Sequence, residues 1–397
     1  MHRSRLARWG AVLGVAALGA LEPAFAEEAI RFGASISMTG DYTRWAAQGR
    51  EGYLLCQKRL NEQGGLLGRR VELVLYDDRS ESQTAVRLYE KLIVEDKVDG
   101  LLGPFSNPVT DAIANVTEKH RKVVVAPLAF TRDIWEKGRK YLFMVRSPSE
   151  LYLEGLMDLA ARNGLKTVAL ISQDTAFGRA VAKGTADLAK KKGLDVISRE
   201  AYLKGKDGPI GKDPTDFSAI LKRVKAVNPD VLGVASDSFW EVVNMTSQMK
   251  ELDVNIKMVG GTIGIALSVG KPGDYLYGIS QWETDLPYPE AKEFVEASKK
   301  EFGRDPSPLS AAAYASCQLL AEAARRAGSL DTEKVRAQLV KLRTRTVFGD
   351  YAVDERGFQV GHKMVTYQWQ GGRAVLVWPD DLAVGKPRFP TPPWDQR

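Results

Sequence analysis

The residue types that build catalytic and metal sites are sparse in this chain. Among the three histidines in its 397 residues, His120 and His362 each lack the neighbouring ligands or nucleophile that metal binding or triad chemistry needs. The motifs G-x-S-x-G, H-E-x-x-H, C-x-x-C and G-x-x-x-x-G-K-[ST] are absent. Asp77-Asp78 follows an apolar run, where turn formation and helix capping explain it better than acid–base catalysis. The sequence therefore indicates a protein that is not an enzyme and uses no cofactor or metal.

Loops suited to ligand binding are better represented. Segments with small polar or aromatic residues follow the predicted strands, at 39–45, 103–107, 127–131, 172–177 and 237–240. In open α/β sheets, ligands bind outside the carboxyl ends of the strands, so these loops are expected to converge on one cleft. The 103–107 loop precedes a predicted helix, whose free amides together with the Ser106 hydroxyl suit an anion.

The elements that position these loops follow from the alternation of apolar runs and amphipathic segments. A first series has predicted strands at 30–37, 71–78, 99–104 and 122–127, with helices at 45–62, 81–96 and 108–120. A second series has predicted strands at 167–172, 194–203, 230–236 and 256–261, with helices at 150–163, 176–191, 217–227 and one ending at 251. Short Val/Ile/Leu runs alternating with helices predict parallel sheets covered on both faces. The fold class is therefore α/β, with two Rossmann-like lobes.

The rest of the chain is not predicted to form a third domain. A strand at 275–282 precedes helices at 289–302, 308–327 and 332–342, a hairpin with a Gly-Gly turn, and an extended Pro-rich tail at 387–397. The three helices cannot form a core alone, so we expect them to pack on the first lobe. The predicted layout is lobe 1 at 27–146, lobe 2 at 147–272, a return to lobe 1 at 273–361, and a return to lobe 2 with the tail at 362–397. Such repeated crossing is typical of a hinged two-lobe clamp.

The N-terminal residues have the pattern of a secretory signal peptide. Arg3, Arg5 and Arg8 precede an uncharged apolar stretch of about eleven residues, which is too short for a bilayer span of about 20 residues. Ala24-Phe25-Ala26 forms a small-x-small cleavage site, so cleavage after Ala26 and export to the periplasm are predicted. The net charge is +6, without a basic run long enough to indicate nucleic-acid binding.

Two cysteines, Cys56 and Cys317, lie far apart in sequence within predicted helices. An exported protein can pair them, but a domain of this size does not need a disulfide for stability. We therefore expect buried free thiols.

The ordered set of motifs resembles a known family. It comprises IRFGASISMTGDYTRW, NEQGGLLGRRVELVLYDD, GLLGPFSNPVT, VVVAPLAFT, TVALISQDTAFGRA and DFSAILKRVKAVNPDVLGV. From about Ile30 to Trp378, the chain resembles the periplasmic substrate-binding proteins of branched-chain amino acid ABC transporters. The resemblance implies a type I periplasmic binding fold, in which three crossover strands join two lobes that close on a small ligand. It also implies ABC transporter permease subunits as partners.

The resemblance also implies roles for individual residues of the first lobe. Trp45 matches a residue that walls the pocket, and Ser106 and Asn107 match the loop whose hydroxyl and amides take the ligand carboxylate. Ala129 and Thr131 match the second carboxylate loop. Phe130 lies between these last two residues.

Three further matches lie in the second lobe. Phe177 stands where the family usually has a Tyr, and Asp237 lies in a loop that supplies a polar or aromatic contact. Thr262 stands where the family often has the Glu that holds the ligand ammonium. We also expect a largely desolvated cleft that is lined by five aromatic residues, namely Trp45, Phe105, Phe130, Phe177 and Trp282.

The sequence leaves two questions open: the chemistry of the ligand, and whether its binding serves transport or sensing. If Asp237 faces the cleft, it can replace the missing Glu and the ligand is an amino acid or another amine-bearing compound. This alternative is favoured slightly, because the whole chain resembles amino-acid binders. If Asp237 faces solvent, an aromatic or branched aliphatic acid is favoured. A periplasmic receptor domain that senses its ligand is the alternative to transport.

Overall fold

The computed structural model describes residues 28–203, 216–262 and 273–397. The predicted signal peptide, 1–26, lies outside this part of the chain. Within the described part, no helix has the length and apolar content needed to cross a membrane.

The first lobe contains a five-stranded parallel sheet in the order β2-β1-β3-β4-β5. Its strands are β1 (Ile30–Ile36), β2 (Val71–Asp77), β3 (Gly100–Leu102), β4 (Val124–Ala126) and β5 (Leu142–Met144). The helices that alternate with them are α1 (Thr43–Glu62), α2 (Ser82–Val94), α3 (Asn107–Lys119) and α4 (Arg132–Trp135). β5 and α4 were not predicted. They are only three and four residues long, too short for a periodicity to be recognised.

The second lobe contains a seven-stranded sheet in the order β14-β13-β10-β9-β8-β6-β7. Its strands are β6 (Thr167–Gln173), β7 (Asp195–Tyr202), β8 (Val231–Ala235), β9 (Met258–Gly261), β10 (Tyr277–Ser280), β13 (Val365–Gln370) and β14 (Arg373–Trp378). The helices are α5 (Glu154–Arg162), α6 (Ala176–Lys191), α7 (Ser218–Val227) and α8 (Phe239–Glu251). β10 pairs with β9 in parallel and with β13 antiparallel. The chain therefore returns to the first lobe after Ser280, and the predicted boundary at residue 273 is wrong.

Three later helices pack on the first lobe, as predicted. They are α9 (Ala291–Phe302), α10 (Pro308–Ala327) and α11 (Thr332–Lys341), and a small antiparallel pair, β11 (Thr344–Thr346) and β12 (Gly349–Tyr351), follows them. Their buried side chains belong to the same hydrophobic core as those of β1 and α1. Gly52 of α1 allows the closest approach, because a Cβ there would lie 2.1 Å from the Ser310 carbonyl oxygen of α10.

The two cysteines form a disulfide, so the expectation of free thiols is wrong. Cys56 of α1 and Cys317 of α10 are bonded, with their Cα atoms 6.2 Å apart. That spacing lies within the range that a disulfide requires. The pairing depends on the close packing of α1 against α10, which brings together positions separated by 261 residues.

The C-terminal tail is docked on the second lobe and does not extend into solvent. The amide of Thr391 donates to the Lys257 carbonyl at 2.9 Å. Trp394 is buried, and its indole nitrogen donates to the Val254 carbonyl at 2.8 Å. The guanidinium of Arg397 lies 3.6 Å from the centroid of the Trp394 ring. The sequence predicted an extended tail but not its attachment to the second lobe.

Side-chain hydrogen bonds join the three crossovers between the lobes. The amide of Ser147 donates to Gln281 Oε1 at 3.1 Å, and Ser147 Oγ lies 2.7 Å from His362 Nδ1. Gln359 Nε2 donates to the Val145 carbonyl at 2.9 Å, and Gln281 Nε2 donates to the Tyr152 hydroxyl at 2.6 Å. We call Ser147, Tyr152, Gln281, Gln359 and His362 the hinge cluster. Because its members come from all three crossovers, these bonds fix the crossovers relative to one another.

Candidate ligand-binding site

The loop between β3 and α3 carries a buried hydroxyl without a hydrogen-bond partner. Ser106 occupies the N-cap position of α3, and its side chain makes no capping bond. Within the described part of the chain, Ser106 Oγ is buried and has no hydrogen-bond partner. Such an oxygen costs about 1–3 kcal/mol when it is left unsatisfied. A ligand carboxylate beside the first amides of α3 would satisfy it.

Asn107 ties this loop to the next one. Its Oδ1 accepts hydrogen bonds from the amides of Phe130 at 2.8 Å and Thr131 at 3.3 Å. Ala129, which precedes them, is fully buried. The Asn107 side chain therefore positions the second loop, and these two amides are already occupied. A ligand carboxylate would instead meet the Ser106 and Thr131 hydroxyls and the free amides at the start of α3.

Aromatic side chains form an exposed wall on the first lobe. The rings of Trp45 and Phe105 are nearly parallel, with an interplanar angle of 5° and centroids 6.3 Å apart. Tyr42 contacts the same phenyl ring at 5.4 Å. Trp45 remains 43% exposed, although large aromatic side chains are usually well buried. The exposed indole beside the 103–107 loop leaves an apolar surface that a ligand can contact.

The two lobes meet through aromatic contacts. Phe130 of the first lobe and Phe177, in the first turn of α6, lie edge to face with centroids 6.0 Å apart. The hinge residue Tyr152 lies 5.2 Å from Phe177 and 6.3 Å from Phe130. These contacts indicate that the loops at the carboxyl ends of the two sheets face each other. Tyr152 was missed from the sequence, since it stands in a crossover rather than after a strand.

Arg146 is a buried cation beside this aromatic group. It is only 8% exposed, and its guanidinium lies 4.4 Å from the centroid of the Phe130 ring. Burial lowers the pKa of Arg146. Its Nη2 donates to the Tyr152 hydroxyl at 3.3 Å, while its Nε has no partner among the described residues. Glu150, the nearby carboxylate of the same crossover, pairs with Arg132 at 3.5 Å. Among the described residues, Arg146 therefore has no neutralising carboxylate within ion-pair distance.

The two second-lobe positions named from the sequence differ in their surroundings. Thr262 is buried, and its hydroxyl donates to the Ser236 carbonyl at 2.6 Å and accepts from the Ser236 amide at 3.0 Å. Its only O–H donor is therefore used to join the ends of β8 and β9. Asp237 lies in the next position after Ser236 and is exposed.

A buried carboxylate that the sequence did not reveal organises the second lobe. Glu241, in the first turn of α8, is 7% exposed. Its Oε2 accepts hydrogen bonds from Gln173 Nε2 at 2.7 Å, the Tyr202 hydroxyl at 2.9 Å and Ser236 Oγ at 3.0 Å. These donors come from the ends of β6, β7 and β8, so Glu241 holds together the loops that carry the site. No local motif distinguishes it from a solvent-exposed Glu near a helix start.

Trp282 does not line the cleft. It is fully buried, with its indole nitrogen donating to the Val347 carbonyl at 2.8 Å and its ring packed edge to face on Phe294. It belongs to the core of the first lobe. The sequence placed it at the end of the predicted strand 275–282 but could not show that the chain enters the first lobe at this point. In the described residues, no group of three or more His, Cys, Asp or Glu is arranged to hold a metal.

Comparisons with known proteins identify the family of this chain. A family model described as periplasmic binding protein matches residues 29–374. The leucine-, isoleucine-, valine-, threonine-, and alanine-binding protein of Pseudomonas aeruginosa is 24% identical, covering 92% of this chain and 96% of its own length.

Solved structures share the fold. A leucine-binding protein from Thermotoga maritima has a TM-score of 0.68 and 24% identity, covering 89% of this chain and 100% of its own. A second structure is that of a solute-binding protein of an ABC transporter from Rhodopseudomonas palustris BisB5 in complex with 3,4-dihydroxybenzoic acid. It has a TM-score of 0.70 and 22% identity, and the match covers 90% of this chain and 98% of its own. The predicted type I periplasmic binding fold is thus confirmed. The chain belongs to the periplasmic binding protein family and is similar to members named for binding branched-chain amino acids.

Proposed function

We propose that this protein is the periplasmic solute-binding component of an ABC importer and captures a small carboxylate-bearing molecule. The observation that carries the proposal is the unpartnered, buried hydroxyl of Ser106 at the start of α3, on the edge of the first lobe that faces the second. Its amino-acid-binding relative from Pseudomonas aeruginosa supports the same class of function. The permease subunits of the importer would be its protein partners.

Capture would proceed by closure of the lobes about the hinge cluster. The ligand stabilises a closed conformation because it contacts both lobes at once, and it shifts the population toward that conformation. Phe130 and Phe177 already meet across the lobes. Near these two residues, the lobes therefore need to move only a short distance toward each other to close. The hinge hydrogen bonds favour rotation of whole lobes over local rearrangement.

The experiment is a thermal-shift screen followed by isothermal titration calorimetry. The panel contains amino acids, aromatic and aliphatic acids, dicarboxylates and amides, and a bound member raises the melting temperature. For any carboxylate that binds, Ser106→Ala is expected to weaken affinity by roughly tenfold, as loss of a hydrogen bond to a charged group does.

Ser316→Ala is the matched control. Ser316 is a buried serine of the same lobe, and its hydroxyl bonds to the Ala313 carbonyl within α10. It should leave the dissociation constant unchanged. A folded protein that binds no member of the panel, or a Ser106→Ala variant with unchanged affinity, would contradict the carboxylate assignment.

A further inference from the structure

We propose that the ligand is an aromatic carboxylate that carries no amino group. The inference rests on the proposed function, because it specifies the chemistry of the same cleft. Three features support it: the second-lobe groups considered for an ammonium are either engaged in hydrogen bonds or exposed to solvent, a buried cation lies beside the aromatic contacts, and the exposed wall is made of flat rings.

An ammonium held between closed lobes requires acceptors, and preferably a carboxylate, because an unpaired buried charge is costly. The position after β9 offers Thr262, whose O–H already donates to the Ser236 carbonyl. The following residues, 263–272, contain no Asp or Glu. The stretch of chain from which the family often takes its ammonium partner therefore supplies no carboxylate here.

The other carboxylates at this edge of the second lobe are poorly suited to the task. Glu241 Oε2 accepts from three side chains of its own lobe, and diverting it would leave those buried donors unpaired. Asp237 is exposed, and an ion pair with a solvated carboxylate contributes little. An amino acid would thus lose the hydration of its ammonium without an equivalent replacement.

The electrostatic environment adds a second argument. Arg146 keeps its positive charge while 8% exposed, and among the described residues no carboxylate lies within ion-pair distance of it. Its guanidinium lies against Phe130, which contacts Phe177 across the lobes. A buried, unneutralised cation attracts an anionic ligand and repels an ammonium. The cleft is therefore suited to a net negative ligand rather than a zwitterion.

The shape of the wall indicates the body of the ligand. Trp45 and Phe105 present nearly parallel rings, and Phe130, Phe177 and Tyr152 pack edge to face or tilted. Aromatic rings favour offset-stacked and edge-to-face neighbours beyond simple area burial. A flat ring can stack on Trp45 while its carboxylate reaches Ser106, whereas a branched aliphatic chain offers no plane to stack.

The test compares acids that differ only in the amino group or only in planarity. Calorimetry would measure 3-phenylpropanoate against phenylalanine, 4-methylpentanoate against leucine, and benzoate against cyclohexanecarboxylate. In the first two pairs, we expect the deaminated acid to bind more tightly by roughly tenfold or more, given the cost of an unpaired buried ammonium. Benzoate should bind at least several-fold more tightly than cyclohexanecarboxylate.

Two variants identify the cause of the preference. Arg146→Met should reduce the affinity ratio between 3-phenylpropanoate and phenylalanine. Arg336→Met is its control, because Arg336 also lies over an aromatic ring, that of Tyr141, at 5.7 Å. The ratio compares two ligands on the same variant, so any loss of folded or closed protein lowers both affinities equally and cancels. Asp237→Asn should leave both affinities unchanged.

Each contrary result has a distinct meaning. If phenylalanine or leucine binds more tightly than its deaminated partner, or if Asp237→Asn abolishes binding, the inference is overturned and the solute-binding function stands. If benzoate and cyclohexanecarboxylate bind equally, the aromatic assignment is overturned. If no carboxylate binds, the failure lies in the proposed function itself.

Discussion

The buried histidine of the hinge cluster should make the stability of this protein fall in mild acid. His362 is 3% exposed and stacks on Phe348 with centroids 4.6 Å apart. Its Nε2 lies 3.1 Å from the Phe348 carbonyl oxygen, and its Nδ1 lies 2.7 Å from Ser147 Oγ. A neutral ring that donates from Nε2 and accepts at Nδ1 satisfies both contacts.

Burial lowers the pKa of His362 from 6.5 to about 4, and the charge of Arg146 acts in the same direction, while Asp350 opposes it. Well above pH 6.5 the residue is neutral in both the folded and unfolded states and has no effect. As the pH falls, the unfolded chain binds a proton that the native protein does not, so the free energy of unfolding decreases. The loss is about 2 kcal/mol between pH 7 and pH 5 and reaches about 3 kcal/mol below pH 4.

The assay is urea unfolding of the wild-type protein and the His362→Gln variant at pH 7 and pH 5. Each free energy of unfolding comes from linear extrapolation. The variant should lose about 2 kcal/mol less than the wild type over this interval, because glutamine does not titrate. His120→Gln is the control, since the His120 side chain is partly exposed, unlike that of His362, and lies beside Glu90 with 2.8 Å between Nε2 and Oε1. Equal acid losses in the wild type and His362→Gln would refute the reasoning, whatever the stability of the variant at pH 7.

Three further predictions concern the disulfide, the aromatic wall and processing. Replacing both Cys56 and Cys317 by alanine should lower the free energy of unfolding by about 5 kcal/mol, from the entropy of the long loop that the bond closes. An unchanged urea midpoint would contradict this. Trp45→Ala should weaken binding of an identified ligand by about 2 kcal/mol, which calorimetry would measure. An unchanged dissociation constant would show that Trp45 is not part of the site. Intact-mass measurement of protein exported to the periplasm should give Glu27 as the first residue, and retention of residues 1–26 would argue against cleavage.

The sequence by itself determined the order and type of nearly all the longer elements, because their signals are local. Helices α6 and α10 were predicted with the bounds that the structure shows. Thr175 and Ser307 cap their first turns, and Gly328 ends α10 in a left-handed conformation. The loops after the strands were also identifiable, since alternating strands and helices bring the carboxyl ends of parallel strands to one edge.

The tertiary structure alone decided which of those loop residues are available to a ligand. Asn107 and Thr262 have polar side chains suited to binding, yet hydrogen bonds to neighbouring loops occupy both. Arg146 and Tyr152 reach the site from a crossover, where no strand–loop pattern marks them. Partners distant in sequence determine the burial and hydrogen bonding of each of these side chains, so local residue type cannot predict either.

Long-range packing also decided the covalent and hinge contacts. The bond between Cys56 and Cys317 forms because Gly52 allows α1 and α10 to approach closely. The two cysteines are separated by 261 residues in the sequence. In the same way, no local pattern indicated that the third crossover would place His362 against Ser147 of the first. The sequence thus determined the two-lobe architecture through local periodicity, whereas contacts between distant segments determined the disulfide, the hinge and the charge balance of the cleft.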